Sequence, residues 1–340
     1  MAVKLFKPFV SWWAVWEVLK TLRSGQLAEG PRVKKFEHEF GRKFGHKNVV
    51  ALNSGTSALE LAYELADIQP GDEVITPVFT CTATNLPLLR LGANIVWADI
   101  DRDLNVNIDD VKKKITKNTK AIVFVHFGGN NRGLSELLRL CKAKSITLIE
   151  DAAQAVGSDY WGKGDFTCVS LQAIKTLTSG DGGVLICKKR KDYDRARRLR
   201  WFGYDREEKQ KKGDTDLKEA GYKYHMNDVS AAIALGNLRV IDKIIEHRKM
   251  LLSIYRKHGF TGGLWMVSGL FAKPEQVKKN LAKLGYASGQ HHFRNDRYTV
   301  FGGRKRLPVM DAVEKHYLHL PIHHDVSTRD AQIIAETACL

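Results

Sequence analysis

Phe166-Thr-Cys-Val-Ser-Leu-Gln-Ala-Ile-Lys175 is followed by Ser179-Gly-Asp-Gly-Gly183 and then by Val184-Leu-Ile-Cys187. An apolar, β-branched run that meets a glycine-rich turn and resumes as a second apolar run predicts two buried strands. Lys175 then stands at the end of the first, where a tight turn can hold its amine in one direction. Two further strand ends lie upstream. Ile146-Thr-Leu-Ile149 ends in Glu150-Asp151, and Val49-Val-Ala-Leu52 leads into Asn53-Ser-Gly-Thr-Ser-Ala58, which opens a helical pattern. Apolar runs alternate with amphipathic segments as far as about Gly236, as in Ala121-Ile-Val-Phe-Val125, the helical Leu134 to Lys142, and Ile146-Thr-Leu-Ile149. This alternation predicts an α/β fold whose mostly parallel sheet is covered by helices on both faces. Ligands of such sheets bind beyond the strand ends.

An amine, an acid and a phosphate-binding turn, each at a strand end, are what pyridoxal phosphate requires. The lysine forms a Schiff base with the cofactor's aldehyde, for which it needs a lowered pKa or a short approach. A carboxylate beside the pyridine nitrogen keeps that nitrogen protonated, because an opposite charge favours the charged form. The turn Ser54-Gly55-Thr56-Ser57 offers free N–H groups at a helix N-terminus, where the dipole also favours a phosphate. Each signal is weak alone. Among 54 Lys plus Arg, a lysine chosen blindly is a solvated charge. Asp151 also reads as an N-cap for Ala152-Ala-Gln-Ala155, and Asn53-Ser-Gly-Thr56 as a capped turn. Their order and shared placement at strand ends raise the joint reading.

Five stretches, in order, resemble the DegT/DnrJ/EryC1/StrS family of nucleotide-sugar aminotransferases, which have the fold-type I pyridoxal-phosphate architecture. They are Asn53-Ser-Gly-Thr-Ser-Ala-Leu59, Val74-Ile-Thr-Pro77, Glu150-Asp-Ala-Ala-Gln-Ala155, Ser170 to Lys175 with Gly180-Asp-Gly-Gly183, and Gly221-Tyr-Lys-Tyr-His-Met-Asn-Asp228. The similarity runs from about Ser24 to Leu238 and resumes weakly near Arg294 to Pro321. The resemblance implies a large domain, with a mostly parallel sheet sandwiched by helices, and a smaller C-terminal α/β domain. Residues 1–240 and 241–340 are the expected division. Carried over by position, Lys175 is the Schiff-base lysine and Asp151 the partner of the pyridine nitrogen. Gln154 touches the ring hydroxyl, and Gly55, Thr56, Ser57 and Ser170 bind the phosphate. His126 falls where relatives often have a histidine near the substrate, though a satisfied histidine at a strand end reads equally well. The segment Gln290-His-His-Phe-Arg-Asn-Asp-Arg-Tyr298 resembles the place where relatives contact the sugar nucleotide. His291, His292, Arg294 and Arg297 are its candidate ligands, against a polar surface loop.

Three positions depart from the family. Cys81 stands where relatives place an aromatic ring over the cofactor, so that face is lost unless Phe79 or another ring replaces it. Lys223 replaces the asparagine that reaches the phosphate of the neighbouring subunit, and a lysine keeps the sign the site wants. Gln172 replaces a histidine two residues after Ser170. The resemblance further implies a homodimer with shared active sites. Retention of Lys175 argues against the family's sugar 3-dehydratases, in which histidine replaces the lysine.

Composition agrees. A chain of 340 residues, 44% hydrophobic and 27% charged, can bury a large core and splits into two domains. No apolar run is long enough to span a bilayer, and the N-terminus lacks the apolar core and cleavage site of a secretory signal. The five cysteines show no metal-ligand spacing and no disulfide framework, so no metal is expected and the location reads as cytoplasmic. A net charge of +16 attracts polyanions, but the basic stretch from Lys188 to Arg200 carries acids at helical spacing and reads as a solvated helix face. Nucleic acid is not an expected partner. Trp12 to Leu22 reads as a helix whose tryptophans are core or dimer contacts. Ala231 to His247 reads as one long helix, and Leu264-Trp-Met-Val267 as a short strand of the second domain. The expected activity is transfer of an amino group from an amino acid, L-glutamate, to a nucleotide-linked 4-keto-6-deoxy sugar. A cyclitol aminotransferase and a non-catalytic regulatory protein of the same fold are the alternatives.

Overall fold

The computed structural model of the chain describes residues 2–339. The central sheet contains β1 (Val49–Leu52), β2 (Glu73–Pro77), β4 (Asn94–Ala98), β5 (Thr119–Val125), β6 (Thr147–Asp151), β7 (Phe166–Ser170) and β8 (Gly183–Cys187), with the short β3 (Phe79–Thr80) outside it. Its order is β1-β8-β7-β6-β5-β2-β4. β8 pairs antiparallel with both neighbours, Gly183 standing opposite Ser170 on one side and Leu52 on the other. All other pairs are parallel. Reversal on both sides of β8 points β1 the same way as β7. The ends of β1, β6 and β7 therefore lie on one edge of the sheet, which brings Asn53, Asp151 and Ser170 together.

Helices cover both faces, as the alternation of runs predicts. In chain order they are α1 (Trp12–Ser24), α2 (Pro31–Phe44), α3 (Gly55–Leu65), α4 (Thr82–Arg90), α5 (Ile108–Lys114), α6 (Leu134–Lys144), α7 (Arg190–Leu199), α8 (Arg206–Lys212) and α9 (Asp228–Leu238). Successive strand residues face opposite sides. Val123, Val125, Ile149 and Cys168 pack with Leu59 and Leu61 of α3. Ile122, Phe124 and Leu148 pack with Leu134 and Leu137 of α6. The two layers are separate cores on the two sides of one sheet.

The expected helix from Ala231 to His247 is two helices. α9 ends at Leu238, and α10 (Ile241–Lys257) begins after a turn in which Val240 N–H bonds to Asn237 C=O at 3.2 Å. Ala231, Ala234 and Leu235 belong to the core under α2, whereas Leu251, Leu252 and Tyr255 belong to the C-terminal core. The bend lets each half face its own core. Beyond it, β9 (Thr261–Gly262), β10 (Val267–Leu270) and β12 (Tyr317–Leu320) form a sheet in the order β12-β10-β9, with α11 (Pro274–Lys283) and α13 (Thr328–Cys339) in the same unit.

Two segments cross the division expected at residue 240. β11 (Phe293–Arg294) pairs with β3, and α12 (Pro308–Val313) packs with Val78, Phe79 and Trp97 of the large unit. In the other direction, Val3 pairs with Tyr286. The strand expected at Leu264-Trp-Met-Val267 starts only at Val267, because Trp265 and Met266 donate their N–H groups to Gly128 of the large unit. The tryptophans of α1 are not core residues: Trp12, Trp13 and Trp16 are exposed, and the helix buries Ala14, Glu17 and Thr21 instead. No helix among the described residues is long and apolar enough to cross a membrane.

Candidate active site

Asp151 ends β6, buried, on the face that carries Ile149. Thr84 of α4 donates its hydroxyl to one carboxylate oxygen at 2.7 Å, and Ala153 N–H donates to the other at 3.1 Å. Thr80 and Thr84 share a hydroxyl contact of 2.9 Å behind it. The carboxylate is thus held from two sides in one orientation. Nothing in the sequence reading singled out Thr84, because it lies 67 positions from Asp151 and meets it only through the packing of α4.

Lys175 does not end a strand. β7 stops at Ser170, and the chain turns through Leu171 to Lys175, whose N–H bonds to Gln172 C=O at 2.9 Å. The residue is half-buried, and its ammonium lies 4.0 Å from the centroid of the Trp265 ring. Burial pushes the amine down to about 8, against the pull of the Asp151 and Cys81 charges, which favour protonation. A lysine so shifted is a usable nucleophile and base near neutral pH. Trp265 is a site residue that sequence reasoning missed; no local signal places it there, since it comes from the C-terminal unit.

The third element is the N-terminus of α3. Ser54 caps it, accepting Ser57 N–H at 3.0 Å. A Cβ on Gly55 would lie 2.8 Å from the Ser170 Cβ, so only glycine lets the helix start against the end of β7. Helix geometry leaves the N–H groups of Gly55 and Thr56 without intrahelical acceptors. Ser57 is turned inward: its hydroxyl donates to Asn53 at 2.7 Å and touches Ser54 at 2.9 Å. Gly55 and Thr56 thus keep their N–H groups free of intrahelical acceptors beside Ser170, while Ser57 braces the turn. This edits the expected phosphate set, in which Ser57 was a direct ligand.

Gln154 is held at both ends. Its carbonyl accepts Gly128 N–H at 2.6 Å, and its amide nitrogen lies 3.1 Å from His292 Nε2. An amide donating there needs a neutral imidazole, and burial pushes His292 well below the usual histidine range. One amide N–H remains free for a ligand. His291 is exposed beside it, but its ring lies 5.8 Å from Trp265 and 4.5 Å from His292, and the partial desolvation there, together with the Lys175 charge, lowers its pKa. Both histidines are therefore brought to the site.

Two expected substrate ligands are not. His126 is fully buried, and its Nε2 lies 2.7 Å from Glu150. Glu150 also accepts N–H groups of Gly162 (2.9 Å) and Lys163 (2.6 Å), and of Gly164. Burial acts to raise Glu150, but His126 and these donors outweigh it and hold the carboxyl below its ordinary value. Strand alternation explains the pairing, for 122, 124 and 126 share the face of 148 and 150, opposite to Asp151. Arg294 is likewise buried, bound to Asp296 through two bonds of 2.6 and 2.7 Å and to Asp311, with Lys305 C=O at 2.8 Å. It ties the segment down rather than meeting a substrate. Replacing Arg294 with methionine leaves Asp296 buried without its cation, which costs about 3–5 kcal/mol. Chemical denaturation should show that loss, while the KM for substrate in the surviving folded protein stays unchanged.

Cys81 is exposed at the N-cap of α4, near enough for its charge to act on Lys175. Phe79 does not replace the missing ring: it is buried between Phe127 (4.8 Å) and Tyr317 (5.0 Å). Lys223 has an exposed side chain. Its carbonyl accepts the Asn53 side-chain amide of the same chain at 3.3 Å, and Tyr224 C=O accepts Asn53 N–H at 2.7 Å. Its segment therefore borders the turn from Asn53 to Ser57 of its own chain. Arg297 is exposed, with its guanidinium 5.0 Å from the Phe293 ring. The described residues hold no cluster of His, Cys, Asp and Glu suited to a metal ion.

Residues 14–261 match the DegT/DnrJ/EryC1/StrS aminotransferase family. The chain belongs to that family. It is 36% identical over 261 residues to the spore coat polysaccharide biosynthesis protein SpsC of Bacillus subtilis, covering 73% of this chain and 67% of the relative. An uncharacterised protein of Methanocaldococcus jannaschii is 32% identical over 263 residues, covering 74% of this chain and 68% of that one. Among solved structures, the sugar aminotransferase CalS13 of Micromonospora echinospora superposes with a TM-score of 0.92 at 32% identity, over 98% of both chains. The fold is the fold-type I architecture, and the enzyme is a pyridoxal-phosphate-dependent sugar aminotransferase. The residues present fit that cofactor: a desolvated lysine over an aromatic face, an oriented carboxylate and free helix N–H groups share one sheet edge.

Proposed function

We propose that this aminotransferase moves an amino group from L-glutamate to the keto carbon of a nucleotide-linked 4-keto-6-deoxy sugar, with Lys175 and Asp151 as its catalytic residues. The observation that carries the reading is the convergence of Lys175, Asp151 and the α3 N-terminus on one edge of the sheet, in a chain whose relatives include sugar aminotransferases. Pyridoxal phosphate, when bound, supplies the electron sink and carries the amino group between the two substrates. Asp151 would hold a proton at its ring nitrogen, Gln154 would offer an N–H to the ring hydroxyl, and Gly55, Thr56 and Ser170 would meet the phosphate. Lys175 serves as the base that takes the α-proton of the donor. Exposed His291, buried His292 beside it, and exposed Arg297 are the candidate contacts for a sugar nucleotide, and the net charge of +16 supports an anionic substrate. Five unpaired cysteines support a reducing, cytoplasmic location.

A panel of keto sugars on different nucleotides, each supplied with glutamate and followed by 2-oxoglutarate release, tests the substrate. Turnover of a nucleotide-linked sugar is the expected result. Turnover of keto-inositol alone would make this a cyclitol enzyme, and cofactor binding with no turnover of any ketone would leave a regulatory protein.

The working unit is a homodimer in which Lys223 faces the phosphate held by the partner subunit. The exposed apolar face of α1, with Trp12, Trp16 and Leu19, supports burial against a second copy. A charge-assisted bond is worth roughly 1.5–3 kcal/mol, so Lys223→Ala should loosen the cofactor about tenfold or more. Lys223→Asn, the residue that relatives carry, should restore much of it. Mixing Lys223→Ala with Lys175→Ala subunits sharpens the check. With shared sites, one site of each mixed dimer carries both defects and the other carries neither, so activity appears where each parent has little. A mixture no more active than its parents, despite proven subunit exchange, would return Lys223 to its own subunit.

A further inference from the structure

We propose that Trp265 is the platform on which the Lys175 amine rests whenever it is free, and that this ring, carried in from the C-terminal unit, sets how readily the amine reacts. The inference rests on the reading of Lys175 as the cofactor lysine. The ammonium lies 4.0 Å from the indole centroid, a cation–π distance. The ring is nearly inaccessible to solvent and cannot drift from the lysine, because its Nε1–H donates to the C=O of Ile174, the residue before Lys175, at 3.1 Å. Phe6 stacks on the indole at 4.9 Å with 19° between the planes.

One peptide fixes the ring relative to the rest of the site. Gly128 C=O accepts Trp265 N–H at 3.1 Å and Met266 N–H at 3.3 Å. The N–H of the same glycine holds Gln154. Gly128 has φ +66°, and a Cβ there would come within 2.7 Å of Met266 C=O, so no larger residue permits this crossing. The large unit thus positions Gln154 and Trp265 through the two ends of a single residue.

Two effects of the indole on Lys175 oppose each other. Its bulk excludes water, which disfavours the ammonium; its π face attracts the ammonium. The groups facing the amine are Asp151 on β6 and Cys81 at the start of α4, which favour the charged form, and His291 and His292, which feel its charge. Burial dominates, bringing the amine to about 8. Substitutions at 265 should separate the two effects. Leucine keeps the site dry and removes the π face, so the titration midpoint falls, by about one unit. Alanine admits water, so the midpoint rises by about one unit or more and the free amine at pH 7 drops about tenfold. Phenylalanine keeps a flat ring and stays close to the parent.

The test is competitive labelling of Lys175 with acetic anhydride across pH in cofactor-free, full-length protein, read by peptide mass spectrometry, with thermal midpoints recorded to confirm that each variant is folded. Opposite shifts for Trp265→Leu and Trp265→Ala support the platform. Leucine and alanine variants that titrate like the parent, or move the same way, overturn it. Capture of pyridoxal phosphate is measured separately in the same proteins. There the amine's lone pair forms a bond to the aldehyde carbon, and the carbonyl oxygen leaves as water with the two amine protons. If borohydride then fixes the cofactor elsewhere than Lys175, the assignment of the lysine fails while the labelling result still decides the role of Trp265.

Discussion

Lys175→Ala abolishes transamination and leaves the fold intact. The side chain is the one amine that the turn after β7 directs into the site, and burial makes it a base at about 8, within reach of neutral pH. Proton transfer by a positioned group is worth roughly 10²–10⁴-fold, and loss of the covalent attachment adds to that. Removing a desolvated ammonium that makes no ion pair among the described residues should not lower stability, so the thermal midpoint is expected to hold or rise. The measurement is turnover with a purified keto sugar beside a denaturation curve. Near wild-type turnover in the folded variant would remove Lys175 from the mechanism.

Asp151→Asn has the second largest effect. An amide is nearly isosteric with the carboxylate: its oxygen can still accept from Ala153 N–H, and its NH2 group can donate to the Thr84 hydroxyl, the two groups that now meet Asp151 at 3.1 and 2.7 Å. The cofactor is therefore expected to bind. What the amide lacks is the negative charge that holds a proton on the ring nitrogen, so the electron sink weakens and the half-reaction with glutamate slows. One pKa unit of altered proton affinity is 1.36 kcal/mol, and a loss of two to three such units corresponds to about 10²–10³-fold in rate if it is fully expressed. Cofactor content and single-turnover rate need to be measured on the same sample. An unchanged rate at full occupancy would take Asp151 out of the site.

The geometry also explains why the expected substrate ligands divide as they do. His291 and His292 reach the site because the segment that bears them is laid against the large unit. β11 pairs with β3, and Asn295 bonds to Thr80 C=O at 2.8 Å and to Asn85 at 2.9 Å. Arg294 fixes the same segment from below. In the sequence these three residues look alike, as polar groups in one stretch. Their roles separate only once some are buried with partners of their own.

The parts legible in the chain are those that depend on neighbours in sequence. Continuous apolar runs predicted β1, β5, β6 and β8 close to their observed positions, since a strand buried on both faces needs apolar residues throughout. Asn53-Ser-Gly-Thr56 announced the capped start of α3, because a cap is made by residues three apart. Alternation along β5 and β6 also held the correct fate of His126, whose parity matches Glu150 and not Asp151. Only the tertiary structure decided the rest. The turn that carries Lys175 beyond its strand, Trp265 beneath its amine, Thr84 on Asp151 and the return of residues 293–313 to the large unit all join residues distant along the chain. Such contacts depend on which surfaces remain unburied after the local elements form, and no local pattern encodes that choice.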